Sequence, residues 1–223
     1  VAVLSATKTA LSERYGADDI LTYVISIVNS GPAPYTGLTM TDDLGAYTYG
    51  TGTLTPLTYV DGSLRYFVNG VLQATPTPTA DAPLTVPGIA VPAGGNALLI
   101  YETRVNSFAP LDTESTVTNT ATLSGAGLTT PVQAASTVNA RAAAYLTIGK
   151  AVSPATVAEN GTLTYTFTIQ NYGNTAAAET DNVTVSDTFS PILKAISVTY
   201  NGVAWTEGTQ YTYNAATGAF ATT

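Results

Sequence analysis

Five residues carry a charge or an amide on the apolar side of an alternating segment. In "LSATKTA" Lys8 alternates with Ala6 and Ala10, in "LTMTD" Asp42 shares a side with Leu38 and Met40, and in "VTNTATLSG" Asn119 shares one with Val117, Ala121 and Leu123. Further along, Lys150 falls with Leu146, Ile148 and Val152, and Asp187 with Val183, Val185 and Phe189. Successive side chains of a strand point to opposite faces, so all five are expected to point inward. An unpaired buried ammonium or carboxylate costs several kcal/mol, roughly, even after relaxation, so the Lys and Asp groups are expected to meet.

Two chemistries fit such a meeting. The first is a buried Lys–Asp ion pair with the Asn amide as a hydrogen-bonding partner. The second is covalent. Burial favours the neutral form of either charged group, and a neutral amine in contact with a carboxamide can attack its carbon while a protonated carboxyl polarises the amide oxygen and moves protons. Ammonia leaves and an isopeptide bond remains. Proximity and exclusion of water are the main requirements, and folding supplies both. Glu102, on the side of Leu98 and Ile100 in "ALLIYETRV", is a rival acid, although Arg104 on that side could neutralise it. Asn139 in "STVNA" is a rival acceptor, weakened because Val138 rather than Asn139 is expected to face inward.

The elements that must position these groups read as strands. Period-2 alternation recurs at 21–28, 38–42, 64–73, 97–105, 165–171 and 183–189, with turn signals such as "NSGP", "YVDGS", "VPAGGN" and "YNGV" between them. Many short strands at this spacing predict an all-β fold of immunoglobulin-like antiparallel β-sandwiches. An internal repeat divides the chain. Residues 6–31 align without a gap on 148–173, matching Lys8 with Lys150, "LTY" (21–23) with "LTY" (163–165), Asn29 with Asn171 and Gly31 with Gly173. After a three-residue insertion, Asp42 falls on Asp187, and the segment 66–76 around Asn69-Gly70 echoes 198–208. The expected domains are therefore 1–142 and 143–223. The second is read as incomplete, with nothing matching "ALLIYETRV" or "VTNTATLSG". Its missing strands are expected either downstream in the polypeptide or from a neighbouring subunit.

The second copy, "LTIGKAVSPATVAENGTLTYTFTIQNYGN…VTVSDTFSP", resembles the conserved-repeat domain (domain of unknown function eleven) found in tandem in bacterial surface proteins. The matching elements are the early Lys, the "G-x-L-T-Y-T" strand, the "N-x-G-N" turn and the "V-T-V-x-D" strand; domain one adds a late "N-T-A-T" strand but has Asp19 where the usual Gly precedes the LTY strand. The Lys, Asp, Asn order is also similar to collagen-adhesin A-type domains, in which such a triad forms an intramolecular isopeptide bond. That resemblance implies Lys8 as nucleophile, Asp42 as catalytic acid and Asn119 as acceptor. It also implies Lys150 and Asp187 as a second pair whose acceptor is absent from the chain.

Composition narrows the function classes. The 223 residues contain no Cys and no His, and only 10% are charged. This excludes disulfides, thiol nucleophiles and His-based triads. The net charge of −8 offers no basic patch for nucleic acid or for anionic lipid, and no apolar run is long enough to span a membrane as a helix. No cofactor or metal site is expected. The acidic pairs Asp18–Asp19, Asp42–Asp43 and Glu179/Asp181 lack calcium-loop spacing and read as solvated loop carboxylates. The start "VAVLSATKTA" has no signal-peptide pattern, so a secretion signal is expected to have been removed or omitted. The leading expectation is a non-enzymatic structural module of an extracellular assembly on a Gram-positive cell surface, such as a pilus, filament, spore appendage or sheath, self-assembling or joined to neighbouring subunits. The alternative is an adhesive or carbohydrate-binding module using the Tyr-rich stretches at 46–50 and 210–218, with Tyr47 and Tyr49 as candidate contacts.

Overall fold

The alternating segments become strands because each finds a neighbour for its backbone groups, and their apolar sides then meet between two sheets. The computed structural model describes residues 3–223, which contain no α-helix and fold as all-β sandwiches. The chain divides into two compact units. One runs to Ala143 and includes Tyr172–Thr175, and the other comprises Ala144–Asn171 and Ala176–Thr223.

In the first unit, one sheet has the order β1 (Leu4–Ala10), β3 (Ile20–Asn29), β12 (Asn96–Val105), β8 (Arg65–Val68) and β9 (Val71–Leu72), with β7 (Leu57–Tyr59) also pairing with β12. The facing sheet has the order β10 (Ala80–Asp81), β11 (Leu84–Val91), β4 (Tyr35–Asp42), β13 (Thr116–Ser124), β14 (Val132–Ala140) and β2 (Arg14–Tyr15). A small hairpin, β5 (Tyr47–Tyr49) and β6 (Gly52–Leu54), stands apart from both. Strand β3 shows the patterning rule: Leu21, Tyr23, Ile25 and Ile27 are fully buried while the residues between them face outward. Each such aliphatic side chain contributes about 1.5–3 kcal/mol on burial. The core continues through Leu38, Met40, Leu84, Val86, Leu99, Tyr101, Val117 and Leu123.

The second unit is built from β15 (Leu146–Ser153) with β16 (Thr164–Asn171), from β17 (Ser186–Thr188), β21 (Ala219–Thr222) and β20 (Tyr211–Asn214) in the order β17-β21-β20, and from the hairpin β18 (Val198–Tyr200) with β19 (Val203–Trp205). A short 3₁₀ turn, Glu179–Asp181, precedes β17. The repeat read from sequence has a structural counterpart. β15 pairs with β16 as β1 pairs with β3, placing Lys150 opposite Phe167 as Lys8 is opposite Ile25. Asp42 lies opposite Leu84 and Asp187 opposite Phe220, so β21 stands where β11 stands in the first unit. The 64–73 segment is a hairpin turned at Asn69-Gly70, and 198–205 is another turned at Asn201-Gly202. All four turn residues have positive φ, as type I′ turns require.

Candidate functional site

Lys8 sits in the middle of β1, where its neighbours on the inward side are Ala6 and Ala10. The two small residues leave the long side chain room to cross the sandwich. Its Nζ lies 2.6 Å from Asp42 Oδ2, with both side chains fully buried. The pair therefore joins the two sheets, one partner on β1 and the other at the end of β4. The Asp42 carboxylate is fixed from three directions: its Oδ1 accepts from the Leu44 backbone N–H at 2.8 Å, and its Oδ2 accepts from both Lys8 and the Tyr101 hydroxyl.

Lys8 Nζ is also 4.8 Å from the centre of the Tyr23 ring and 5.9 Å from that of Tyr101. The two rings stack on one another at 6.1 Å, so the ammonium rests in an aromatic wall. Burial pulls the Lys8 amine below its ordinary pKa, and the Asp42 carboxylate opposes that pull. For Tyr101, burial followed by the facing Asp42 pushes the phenol well above the ordinary range. Tyr101 therefore keeps its proton and donates a hydrogen bond to the carboxylate.

Asn119 is fully buried on β13, two residues before Ala121, which is opposite Asp42. Neither its Nδ2 nor its Oδ1 has a hydrogen-bond partner. Buried amides in native proteins are nearly always paired, and Asn29 of the same unit illustrates the rule. Its Nδ2 donates to the Ala33 and Pro92 carbonyls at 2.8 and 3.0 Å, and its Oδ1 accepts from Gly31. The Tyr23 hydroxyl faces the Asn119 amide closely enough for the amide to pull the phenol's pKa down against the larger, upward effect of burial, yet neither group makes a hydrogen bond of normal geometry. Among the described residues, buried side-chain polar atoms without a hydrogen bond occur at Tyr23, at Asn119 and at Asp187, whose Oδ2 is ion-paired with Lys150.

The backbone carrying Asn119 is held in place by the residue after Asp42. Asp43 Oδ1 accepts from the N–H groups of Gly45 and Thr120, both at 2.9 Å, and the Asp43 N–H donates to the Thr120 carbonyl. Gly45 has φ +74, and a Cβ there would lie 2.6 Å from Val117, so this turn packs directly against β13. Asp43 is thus a half-buried carboxylate with a structural role.

In the second unit Lys150 Nζ lies 2.6 Å from Asp187 Oδ2, and 4.8 Å from the centre of the Tyr165 ring, the counterpart of Tyr23. The pair is more open, the Lys150 side chain being 42% exposed and that of Asp187 17%. Among the described strands, β17 pairs only with β21 and β16 only with β15, so the places that β13 and β12 take in the first unit are open.

The rivals lie elsewhere. Glu102 is on the outer side of β12 with Leu98 and Ile100, whereas Leu99, Tyr101 and Thr103 face the core; the expected inward direction of Glu102 is reversed. Arg104 is exposed and donates to the Asp18 carbonyl at 3.1 Å. Asn139 is exposed on β14 beside buried Val138. Of the candidate sugar contacts, Tyr47 donates its hydroxyl to the Phe108 carbonyl at 2.6 Å, while Tyr49 is 73% exposed. Two participants give no signal in the residue pattern: Tyr23, although it closes the repeated "LTY", and Tyr101, which the reversed parity of β12 conceals.

No protein-family model matches the chain, and a comparison with curated proteins returns no match. Solved structures are similar in fold. A point variant of BcpA, the major pilin subunit of Bacillus cereus, has a TM-score of 0.48 and 10% identity over 76% of this chain and 56% of its own. The pilus backbone protein RrgB of Streptococcus pneumoniae has 0.44 and 14% over 55% of this chain and 31% of its own. The collagen-binding domain of a Staphylococcus aureus adhesin has 0.39 and 12% over 62% of this chain and 98% of its own. These neighbours are pilin and adhesin domains of Gram-positive bacteria. At such identities and TM-scores they carry no argument about what this chain does.

Proposed function

We propose that the chain is a structural module of an extracellular bacterial surface assembly whose first unit is locked by an autocatalytic amide between Lys8 and Asn119. The observation that carries this reading is the fully buried Asn119 carboxamide, unpaired at both polar atoms, next to a buried Lys8–Asp42 pair. Within that pair a proton passes from the ammonium to the carboxylate, leaving a neutral amine and a neutral acid. The amine nitrogen bonds to Cγ of Asn119, the Cγ–Nδ2 bond breaks, and the Asp42 proton and one of the two Nζ protons are carried off with the leaving NH2 as ammonium, which restores the Asp42 carboxylate and leaves one hydrogen on the new amide nitrogen. No metal, cofactor or oxidant enters the balance, and the step occurs once per chain.

The resemblance to conserved-repeat and collagen-adhesin A-type domains, the Cys-free composition and the tandem repeat support a load-bearing role on a Gram-positive surface. A cross-link of this kind constrains the unfolded chain as a disulfide does, without an oxidising compartment. In the second unit the same reading has Lys150 and Asp187 await a strand of the β13 type along the open side of β17, from the same polypeptide or from a neighbouring subunit.

Intact-mass measurement of residues 1–223 tests the reading. The expected mass is that of the sequence less one ammonia, with full mass restored in Lys8→Arg and in Asn119→Ala. A wild-type chain of full mass, folded and stable, would sink it.

A further inference from the structure

The Tyr23 hydroxyl is the one buried phenol of the site without a hydrogen bond of normal geometry. Tyr101 donates to Asp42, Tyr15 donates to the Pro110 carbonyl at 2.5 Å, and Tyr66 donates to the Ala90 carbonyl at 2.8 Å. Tyr23 is fully buried between the sheets, its ring against Lys8 and its hydroxyl beside the Asn119 amide, and hydroxyl and amide alike lack a partner. A buried hydroxyl left unpaired costs about 1–3 kcal/mol. An unpaired buried group of this kind calls for an explanation, and a catalytic role is one.

We infer that Tyr23 is the oxyanion donor for amide formation at Asn119, its hydroxyl placed beside the carboxamide whose oxygen becomes negative when Lys8 adds to Cγ. This rests on the cross-linking reading above and extends it by one residue. When the Lys8 Nζ–Cγ bond forms, the carbonyl π pair moves onto Oδ1. The Tyr23 O–H donates to that oxygen and keeps its proton. When the carbonyl re-forms, the Cγ–Nδ2 bond breaks and the nitrogen leaves as described. In the ground state the carboxamide oxygen is neutral, so the donor stabilises the tetrahedral state more than the starting amide, as rate acceleration requires. Burial, the larger influence, pushes the Tyr23 phenol above its ordinary 10.0, which suits a donor and not a base. The labour is divided between the two tyrosines. Tyr101 orients the acid, and Tyr23 receives the charge.

The repeat places a second tyrosine in the same role. Tyr165 lies 4.8 Å from Lys150, the separation seen between Tyr23 and Lys8, and it comes from the matching position of "LTY". Both copies thus bring the nucleophile, the acid and this phenol together.

The test is timed intact-mass analysis after cell-free synthesis, comparing the wild-type chain with Tyr23→Phe. The expected result is ammonia loss slowed about 10²–10³-fold, the usual effect of removing one oxyanion donor. Stability is compared in the Asn119→Ala background, where no cross-link forms and the Lys8–Asp42 pair remains. There Tyr23→Phe is expected to leave the unfolding midpoint unchanged or raise it, because with the Asn119 amide gone the hydroxyl has no bond to lose. Equal rates in wild type and Tyr23→Phe overturn the inference while the cross-link stands. A lowered midpoint or failed folding of the double variant overturns it as well, by making the hydroxyl a packing group. A wild-type chain that never loses ammonia removes the cross-linking reading and this inference together.

Discussion

Lys8 is held between opposed influences, and their balance can be read from pH. Burial is the larger and lowers its pKa from the ordinary 10.5; the Asp42 carboxylate raises it. With the folded value below the unfolded one, the unfolded chain binds more protons in the interval between the two, so stability rises with pH across that interval. Tyr23 and Tyr101 have the opposite sign, their raised values eroding stability only above the ordinary 10.0. In Asn119→Ala, where Lys8 stays an amine, urea unfolding is therefore expected to show stability rising toward about pH 9.5, by at most about 1.4 kcal/mol per pH unit. In a wild-type chain that carries the proposed amide Lys8 no longer titrates and this rise is absent; the same slope in both chains would argue that Lys8 is not consumed. Lys8, Asp42 and Asn119 were legible because each interrupts an otherwise apolar side of a strand. Tyr23 was not, because a tyrosine on a core face breaks no pattern, and only the unpaired state of its hydroxyl marks it.

Parity was legible in strands with one polar face and ambiguous in strands with two apolar ones. In β12 the outer Leu98 and Ile100 are as apolar as the inner Leu99 and Tyr101, so alternation alone could not say which side Glu102 took. β17 presents the other difficulty. Alternation runs from Val183 to Phe189, yet the strand spans only Ser186–Thr188, where β21 supplies a partner on one side. In the first unit β4 has β11 on one side and β13 on the other, with Ala121 opposite Asp42 and Leu123 opposite Met40. The same register on β17 would put an incoming asparagine two residues before the one facing Asp187. A synthetic segment of residues 96–124, carrying both β12 and β13, is accordingly expected to add to the second unit. The adduct should survive denaturing electrophoresis, have the summed mass less one ammonia, and disappear with Lys150→Arg. An adduct that persists in Lys150→Arg, or none in a chain whose first unit is cross-linked, would exclude strand capture at β17.

At the scale of the first unit, the placement of the proposed bond matters more than its chemistry. Lys8 belongs to the sheet of β3 and β12, and Asn119 to the sheet of β4 and β11, so an amide between them joins the two layers across the core. It also joins the first strand to the penultimate one, closing a loop of about 110 residues, for which the chain-entropy model gives about 4–5 kcal/mol. Backbone ladders alone would let β1 separate from β3, and β13 from β4, under a pull on either end. With the side chains joined, neither sheet can leave the other until a covalent bond breaks. Lys8→Arg keeps a cation beside Asp42 and removes only the nucleophile. It is expected to lower the unfolding midpoint of the first unit by about 10–20 °C and to restore cleavage by proteases at temperatures where the wild-type chain resists. Calorimetry of the two chains decides this. A midpoint within experimental error of wild type would mean that the Lys8–Asp42 ion pair, and not a covalent bond, is what ties the sheets together.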